Sequence, residues 1–278
     1  MIIDTHVHID KLLFTMTESM VIEAMEKYNI KYAIVSNCAC CEFDHQLNRI
    51  DEAYQTSQID SLKEILSFAR SHPDKIGVSV WIKPYSETLT DELKKLIEDN
   101  LDIIYGLKLH PYHNQVSIND DRLNPYIEFA IKHNLPFSIH TSSDEMSNPK
   151  EVYKAALKYP ECKFIMVHMG LGTDNQEAID YLEKCNNLYA DTTWVSVKST
   201  LEAIKRCGSD RILFGSDAPI DGVDTYYCNG AGQRSLYQEY FNEFKELVSL
   251  DDYQKIMYKN AIKLFSLDKA GKTYGNFN

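Results

Sequence analysis

Short runs of β-branched and aromatic residues alternate along this chain with longer segments that carry apolar residues at helical spacing. The runs typical of strands are residues 2–8, 31–37, 76–82, 103–110, 135–141, 163–168, 187–192 and 211–216. The helical pattern covers residues 18–28, 58–71, 89–99, 121–133, 149–158, 175–185, 197–207, 234–248 and 251–266. Each predicted strand is followed by a helix without a break in composition, which predicts one domain over residues 1–278.

Eight strand–helix units predict an α/β fold of the single (β/α)8 barrel type. A doubly wound open sheet is the alternative, but it would be expected to carry a glycine-rich phosphate turn after its first strand, where this chain has HVHID. Two connections are long: from Cys38 to about Gln58 after strand two, and from Asp217 to about Arg234 after strand eight. Because such barrels bind substrates at the carboxyl ends of their strands, these loops are expected to shape the site.

Polar residues stand at the carboxyl ends of five predicted strands. In the first strand, IIDTHVHID, the residues Asp4, His6 and His8 are two positions apart, so the strand period predicts that they share one face. The other four strands contribute Lys108, His110, His140, His168 and Asp217. A lone histidine at a strand end is usually structural, but several imidazoles and a carboxylate at one mouth predict a divalent metal site. This donor set suits Zn²⁺, with Mn²⁺, Fe²⁺ or Ni²⁺ as alternatives.

Composition narrows the class of protein. The formal net charge is −12, from 41 acidic and 29 basic residues, which disfavours a nucleic-acid partner because such binding depends on Lys and Arg neutralising phosphates. No apolar run approaches the ~20 residues that span a bilayer, so no membrane partner is expected. The first residues do not resemble a signal peptide, and the seven cysteines are scattered through the chain. We therefore expect a cytoplasmic protein with reduced thiols.

With these residues in view, the chain resembles the metal-dependent amidohydrolase superfamily. Within it, the resemblance is to the amidohydrolase-related group, which includes dihydroorotase-like hydrolases and decarboxylases of aromatic and muconate-type acids. The matching segments are DTHVH, SHPDKIGVSV, DDRLNPYIEFAIKHNLPFSIHTS, FIMVHMG, RILFGSDAP and NAIKLFSL. They cover nearly the whole chain. HxH is only moderately specific by itself, whereas its combination with the histidines of strands five and six and the aspartate of strand eight is strong.

The resemblance implies that His6, His8, His140 and Asp217 are metal ligands, with Asp217 also serving as general base and acid. It implies that His168 binds a second metal or polarises the substrate. The expected activity is hydrolysis of a small molecule at an amide, lactone or ester carbon by metal-activated water. A metal-dependent non-oxidative decarboxylase is the first alternative, and a non-catalytic metal- or ligand-binding barrel is the second. Family likeness also suggests a homodimer.

Four further residues are candidates for substrate binding. Lys108, in the stretch LKLHP, is either a charged lysine that pairs with Asp217 or an anionic substrate, or a carboxylated lysine that bridges two metals. We favour the charged form. His110 shares its face but lies further out, which favours substrate contact. Arg49 and Lys83, in the loops after strands two and three, could each clamp a carboxylate, although solvated surface charge is the simpler interpretation.

Two minor features lie near the predicted mouth. Cys38, Cys40 and Cys41 follow strand two; a thiolate metal site would need a second pair that the chain lacks, so we interpret them as packing residues, with a reactive thiol as the alternative. Asp191 and Thr192 end strand seven and could orient a ligand histidine. Barrel deoxyribonucleases with a similar opening motif are expected to have a glutamate at strand four, and this chain lacks it. Its absence and the negative net charge both argue against a nuclease.

Overall fold

Eight parallel strands follow one another in sequence order around a barrel in the computed structural model, which describes residues 1–12 and 15–270. The strands are β1 (Ile3–Ile9), β2 (Tyr32–Asn37), β3 (Ile76–Trp81), β4 (Ile104–Leu109), β5 (Phe137–Ser142), β6 (Phe164–Leu171), β7 (Leu188–Asp191) and β8 (Ile212–Leu213). Every neighbouring pair from β1 to β8 is parallel. The predicted (β/α)8 barrel is confirmed.

Helices cover the outside of the barrel and follow the predicted segments closely. They are α1 (Glu18–Lys27), α2 (Gln58–Ser71), α3 (Asp91–Glu98), α4 (Pro111–Asn114), α5 (Asn124–His133), α6 (Pro149–Lys158), α7 (Gln176–Lys184), α8 (Val197–Cys207), α9 (Leu236–Phe241), α10 (Phe244–Leu247), α11 (Leu250–Gln254) and α12 (Asn260–Phe265). Side-chain caps fix several starts: Asn148 accepts from the backbone N–H of Lys150, as expected of an asparagine before proline. Among the described residues, no helix is both long and apolar enough to cross a membrane.

Residues of several strands divide between two separate apolar clusters. In β2, Ala33 and Val35 belong to the large cluster between the sheet and the helices, whereas Tyr32 and Ile34 belong to a smaller one inside the barrel. Residues of α12, including Phe265, pack into this inner cluster. It therefore fills the barrel near the amino ends of the strands and leaves the carboxyl ends for polar groups.

The barrel closes through irregular hydrogen bonds between the β8 region and β1. The backbone N–H of Thr5 donates to the Phe214 carbonyl at 3.0 Å, and that of Asp217 donates to the His6 carbonyl at 2.9 Å. The N–H of His8 donates to the Ala218 carbonyl at 2.9 Å. This closure places Asp217 beside the two histidines of β1, although more than two hundred residues separate them in sequence.

Two predicted elements differ from the sequence pattern: the last strand is shorter than predicted, and one helix is divided into two. β8 ends at Leu213 rather than at residue 216, because the N–H of Phe214 donates to the Ile256 carbonyl at 3.0 Å instead of to a strand. That carbonyl lies in a π-helical turn, Lys255–Lys259, between α11 and α12. The predicted helix 234–248 is divided into α9 and α10, because Asn242 has non-helical backbone angles (φ −114°, ψ −83°).

Candidate metal centre

The first strand presents His6 and His8 to the barrel mouth but turns Asp4 away from it. The pairing of β1 with β2 shifts register between Asp4 and Val7, so the strict alternation of side chains is interrupted there. Asp4 is fully buried and accepts a hydrogen bond of 2.6 Å from the hydroxyl of Tyr226, while Ile3 packs inside the barrel. The expectation that all three polar residues share one face is therefore wrong for Asp4.

Three side-chain atoms converge on one point at the mouth. His6 Nε2 lies 2.9 Å from His8 Nε2 and 3.0 Å from Asp217 Oδ1, and His8 Nε2 lies 3.1 Å from the same oxygen. Lys108 Nζ lies 3.1 Å from His6 Nε2. One imidazole nitrogen has a single lone pair or a single N–H and cannot hydrogen-bond with three partners at once. The cluster therefore has the arrangement of ligands that share an ion.

The spacing of these donors also fits a divalent metal. Ligands about 2.1 Å from an ion are about 3.0 Å apart at neighbouring octahedral positions and about 3.4 Å apart in a tetrahedron. His168 joins the cluster, because one donor atom each from His6, His168 and Asp217 lie within 4.8 Å of one another. Two imidazoles and a carboxylate from different strands form the facial set that Fe²⁺, Mn²⁺ and Zn²⁺ accept.

Hydrogen bonds behind the histidines orient their rings towards this point. His6 Nδ1 lies 3.0 Å from Asp191 Oδ2, and His8 Nδ1 lies 3.0 Å from Ser36 Oγ. His168 Nδ1 lies 3.1 Å from the carbonyl oxygen of Thr193, which can only accept, so this nitrogen carries the proton. Each ring can therefore present the lone pair of Nε2 to the mouth, the tautomer that metal binding requires. Thr192, the other predicted second-layer residue, accepts instead from the N–H of Gly215.

Burial and neighbouring charges set the protonation states of the side chains at this centre. Burial lowers the pKa of His8 and of His168 to about 4, so both rings are neutral at neutral pH. Burial acts to raise the pKa of Asp217, but contact with His6 and His8 outweighs it and holds that pKa well below its usual range. Burial also lowers the pKa of Lys108. Burial acts to lower the pKa of His6, but contact with Asp217 and Asp191 raises it, so a bound cation would compete with a proton for this ring. Metal binding requires neutral imidazoles and an ionised carboxylate.

Asp217 has a second partner that the sequence did not indicate. The indole N–H of Trp194 donates to Asp217 Oδ2 at 2.8 Å, which leaves Oδ1 facing the histidines. Three of the residues at the centre have left-handed backbone angles, with φ of 66° at Asp217, 67° at His168 and 56° at Trp194. Such angles are costly for residues other than glycine and cluster at functional sites. The one available signal for Trp194 was its position just after β7.

His140 and His110 form the next layer of the mouth. Their rings stack with centroids 3.7 Å apart, and the His140 ring lies 4.7 Å from that of His168. His110 Nδ1 accepts from the backbone N–H of His113 at 3.3 Å and so caps α4. In its neutral form, His110 therefore carries its proton on Nε2, which suits hydrogen bonding to a substrate better than metal ligation.

A cavity of about 380 Å³ opens over the centre. Nine of the residues predicted at or near the mouth line it: His6, His8, Cys38, Cys41, Lys108, His110, His140, His168 and Asp217. Met16, Trp81, Leu171 and Ile220 add apolar surface, and the remaining lining residues are His45, Tyr112, His113, Ser142, Ser143 and Asp144.

Two predicted substrate clamps lie away from this cavity. Arg49 is exposed, and its guanidinium lies 6.0 Å from the ring of Tyr85. Lys83 is buried under the loop after β3, where its Nζ donates to the Thr56 carbonyl at 3.1 Å. Neither residue lines the cavity, so the structure does not bring them to the metal centre. Lys108 is the cation that it does bring there.

The fold and the site together define a class: a (β/α)8 barrel with a cluster of histidines and an aspartate, able to hold a metal ion, at the carboxyl ends of its strands. The chain belongs to the amidohydrolase family, because the model of that family, described as "Amidohydrolase", matches residues 3–267. No curated protein matches the chain significantly in sequence.

Solved structures of decarboxylases share the fold. A 2,6-dihydroxybenzoate decarboxylase in complex with 2,6-dihydroxybenzoate is 16% identical, with a TM-score of 0.68 over 96% of this chain and 98% of that chain. A 5-carboxyvanillate decarboxylase from Sphingomonas paucimobilis is 11% identical, with a TM-score of 0.68 over 95% and 98%. A dihydroxybenzoic acid decarboxylase from Polaromonas with bound manganese and the inhibitor 2-nitroresorcinol is 17% identical, with a TM-score of 0.65 over 99% of both chains.

Proposed function

We propose that this protein is a metal-dependent, non-oxidative decarboxylase of a small carboxylated molecule. The observation that carries the proposal is the place of Lys108, a buried amine at the metal centre of a cavity whose other wall is apolar. Such a cavity suits a compact substrate with one apolar face and one carboxylate. The structurally similar decarboxylases match over nearly their full length, and they support decarboxylation rather than hydrolysis.

His6, His8 and Asp217 would hold the metal, with His140 and His168 as the further imidazoles within reach of the cavity. A bound divalent ion would act as a Lewis acid that fixes and polarises the substrate's oxygen atoms. Manganese and zinc are both compatible with this donor set, and we propose one of these two. Lys108 would serve as a charged lysine, because a substrate carboxylate beside its Nζ favours the ammonium form.

The protein's own groups would then supply the proton that the reaction requires. Loss of CO₂ breaks the bond to the carboxylate carbon and leaves an electron pair on the substrate carbon, which must take up one proton. Asp217 is the carboxyl group of the centre and the proposed donor. Because contact with His6 and His8 keeps Asp217 ionised in the free site, the proton that it delivers comes in the end from solvent.

The apolar wall would favour this step by excluding water from the carboxylate. Trp81 closes that wall, with its ring 5.6 Å from His8 and its indole N–H donating to Asn114 at 3.0 Å. An ionised carboxylate loses hydration there, whereas CO₂ is neutral and needs little. On a flat unsaturated or aromatic ring beside Trp81, the proton would be delivered to the carbon that carries the carboxylate as CO₂ leaves, because an electron pair left in the plane of the ring is not delocalised by it.

The proposal is tested by product labelling in D₂O. The protein, loaded with Mn²⁺ or with Zn²⁺, is incubated with 2,6-dihydroxybenzoate, 5-carboxyvanillate and related hydroxylated ring carboxylates. We expect release of CO₂ and one deuterium at the carbon that carried it. Absence of CO₂ across the panel, with turnover of esters, lactones or amides instead, would overturn the proposal.

Hydrolysis is the second candidate, favoured by one observation. Asp217 has its Oδ1 beside His6 and His8 at the metal point and its Oδ2 fixed by Trp194, an arrangement that also suits a general base for water. Turnover in H₂¹⁸O separates the two reactions, because hydrolysis places ¹⁸O in the product acid and decarboxylation places none in the ring product.

A further inference from the structure

The cavity has a second set of donor atoms that neither the metal centre nor the proposed reaction uses. Cys38 and Cys41 both line the cavity, and so does Met16. These three residues are buried in one small apolar cluster that also contains Trp81. Both cysteines are free thiols. The part of the cavity wall that contains Trp81 is therefore rich in sulfur.

The local backbone holds the two thiols close together. Cys38–Cys40 form a 3-10 turn, and the N–H of Cys41 donates to the Cys38 carbonyl at 2.8 Å. A hydrogen-bonded turn of this kind brings the Cα atoms of its first and last residues within ~7 Å. The side chain of Asn37 fixes the start of the turn by accepting from the N–H of Ala39 at 3.0 Å. The spacing is that of a C-x-x-C motif with both ends turned to one cavity.

We propose that Cys38 and Cys41 form a binding site for a soft, thiophilic cation in the wall of the catalytic cavity, separate from the histidine–aspartate centre. Sulfur ligands of a tetrahedral ion are ~3.8 Å apart when each bond is ~2.3 Å, which two side chains on one turn can reach. The thioether of Met16 supplies a third soft donor. Thiolate and thioether ligands select Cu⁺, Cd²⁺ and similar ions over the harder ions that imidazole and carboxylate accept.

Charge balance supports this choice of ligand. Burial raises the pKa of Cys38 well above its usual range, so the empty site holds neutral thiols that suit its apolar surroundings. A divalent soft ion that displaces both protons forms a unit with two thiolates and no net charge. Such a unit avoids the cost of burying an uncompensated charge beside Trp81 and Met16. Each binding event releases two protons and oxidises nothing.

Occupation of this site would narrow the cavity and exclude substrate. Binding of the cation does not depend on the proposed decarboxylation, whereas the inhibition does. Soft cations at low concentration should therefore inhibit the protein without removing the metal from His6, His8 and Asp217.

Cadmium provides a direct test. The protein loaded with Zn²⁺ is titrated with Cd²⁺, and the ultraviolet charge-transfer absorption of cadmium thiolate is recorded. We expect one Cd²⁺ per chain with this absorption, and at least tenfold weaker binding in Cys38→Ser and in Cys41→Ser. Cys40→Ser is the matched control, because Cys40 lies between the two on the same turn but does not line the cavity. Equal loss in the control, or full absorption in the Cys38→Ser/Cys41→Ser variant, would overturn the proposal.

A second measurement avoids metals and needs no variant that folds poorly. Phenylarsine oxide forms a stable cyclic adduct with two neighbouring thiols, in which two As–S bonds form and one water is released. Intact mass should show one adduct on the native protein, blocked by prior Cd²⁺. No adduct on the native protein contradicts a dithiol site. Cadmium binding at the thiols in a protein that turns over no carboxylate would leave this site standing and refute only the proposed function.

Discussion

Each imidazole of the centre has one ring nitrogen that faces the cavity and one that contacts a neighbouring residue. The second contact determines which nitrogen carries the proton. Asp191 holds Nδ1 of His6, Ser36 holds Nδ1 of His8, and a backbone carbonyl holds Nδ1 of His168. The sequence indicated that these histidines and Asp191 end their strands, but it could not indicate Ser36 or Trp194. The contacts of Ser36 and Trp194 depend on how neighbouring strands and loops are oriented. The residue pattern along one strand carries no information about that orientation.

Replacing Asp217 by Asn should leave a folded protein that is almost inactive. The amide keeps the shape of the side chain and an oxygen for metal, but it cannot carry the proton to the substrate carbon. We expect the rate of turnover to fall by 10²-fold or more, with metal content changed much less. Activity is measured by CO₂ release and metal by elemental analysis. Native turnover in this variant would refute the assigned role.

Replacing Asp191 by Asn should weaken metal binding through His6. Oδ1 of Asp191 already accepts from the N–H of His168, and Oδ2 faces Nδ1 of His6. An amide has only one acceptor oxygen, so one of these contacts is lost. We expect metal affinity to fall 10–100-fold, measured by competition with a chelator. Asp180→Asn, on the surface beside Arg206, is the control and should bind metal as the native protein does.

The elements of the fold follow the sequence pattern except where distant segments intervene. β8 is short because Phe214 bonds to the π-helical turn near the end of the chain. The register shift in β1 turns Asp4 towards Tyr226 of the loop after β8. Both departures arise from contacts between residues more than forty positions apart. Hydrophobic periodicity reports only local alternation, so it predicts that an element exists better than where it is interrupted.

Gly215 lies two residues after β8, where the chain packs closely against the centre. A Cβ atom there would lie 2.5 Å from Thr193 Oγ1 and 2.9 Å from the His6 Cβ. Gly215→Ala should therefore displace His6 and lower the free energy of unfolding by about 1–3 kcal/mol, measured by urea denaturation.

Gly230→Ala is the matched control for that substitution. Its Cβ would meet Asp221 Oδ1 at 3.6 Å, an ordinary contact. We expect the free energy of unfolding to change by less than about 0.5 kcal/mol. Equal stability of the two variants would contradict the close packing of the segment after β8 against β1.

For the molecule as a whole, the metal centre lies where the barrel closes. His6 and His8 come from the first strand and Asp217 from the end of the last, and only a few backbone hydrogen bonds join these two regions. A ligand that binds the two ends together stabilises the folded state over the unfolded chain. The centre is therefore expected to contribute to stability as well as to chemistry.

Removal of metal should lower the melting temperature measurably. At a free metal concentration 100 times Kd, binding adds about 2.7 kcal/mol to the free energy of unfolding. For a protein of this size, this corresponds to a rise of roughly 5 °C, which calorimetry with and without a chelator can measure. His8→Ala should lose most of this increase. An unchanged melting temperature in the native protein after chelation would contradict a centre that joins the two ends.

The sequence by itself determined the order of strands and helices, the barrel, and the set His6, His8, His140, His168 and Asp217 at its mouth. These features depend on local periodicity and on the rule that the carboxyl ends of parallel strands meet at one face. Tertiary structure decided which neighbours complete the centre: it turned Asp4 away, left Arg49 and Lys83 outside, brought in Trp194, and turned Cys38 and Cys41 but not Cys40 to the cavity. The physical reason is that loop paths and strand irregularities are fixed by packing between segments far apart in the chain.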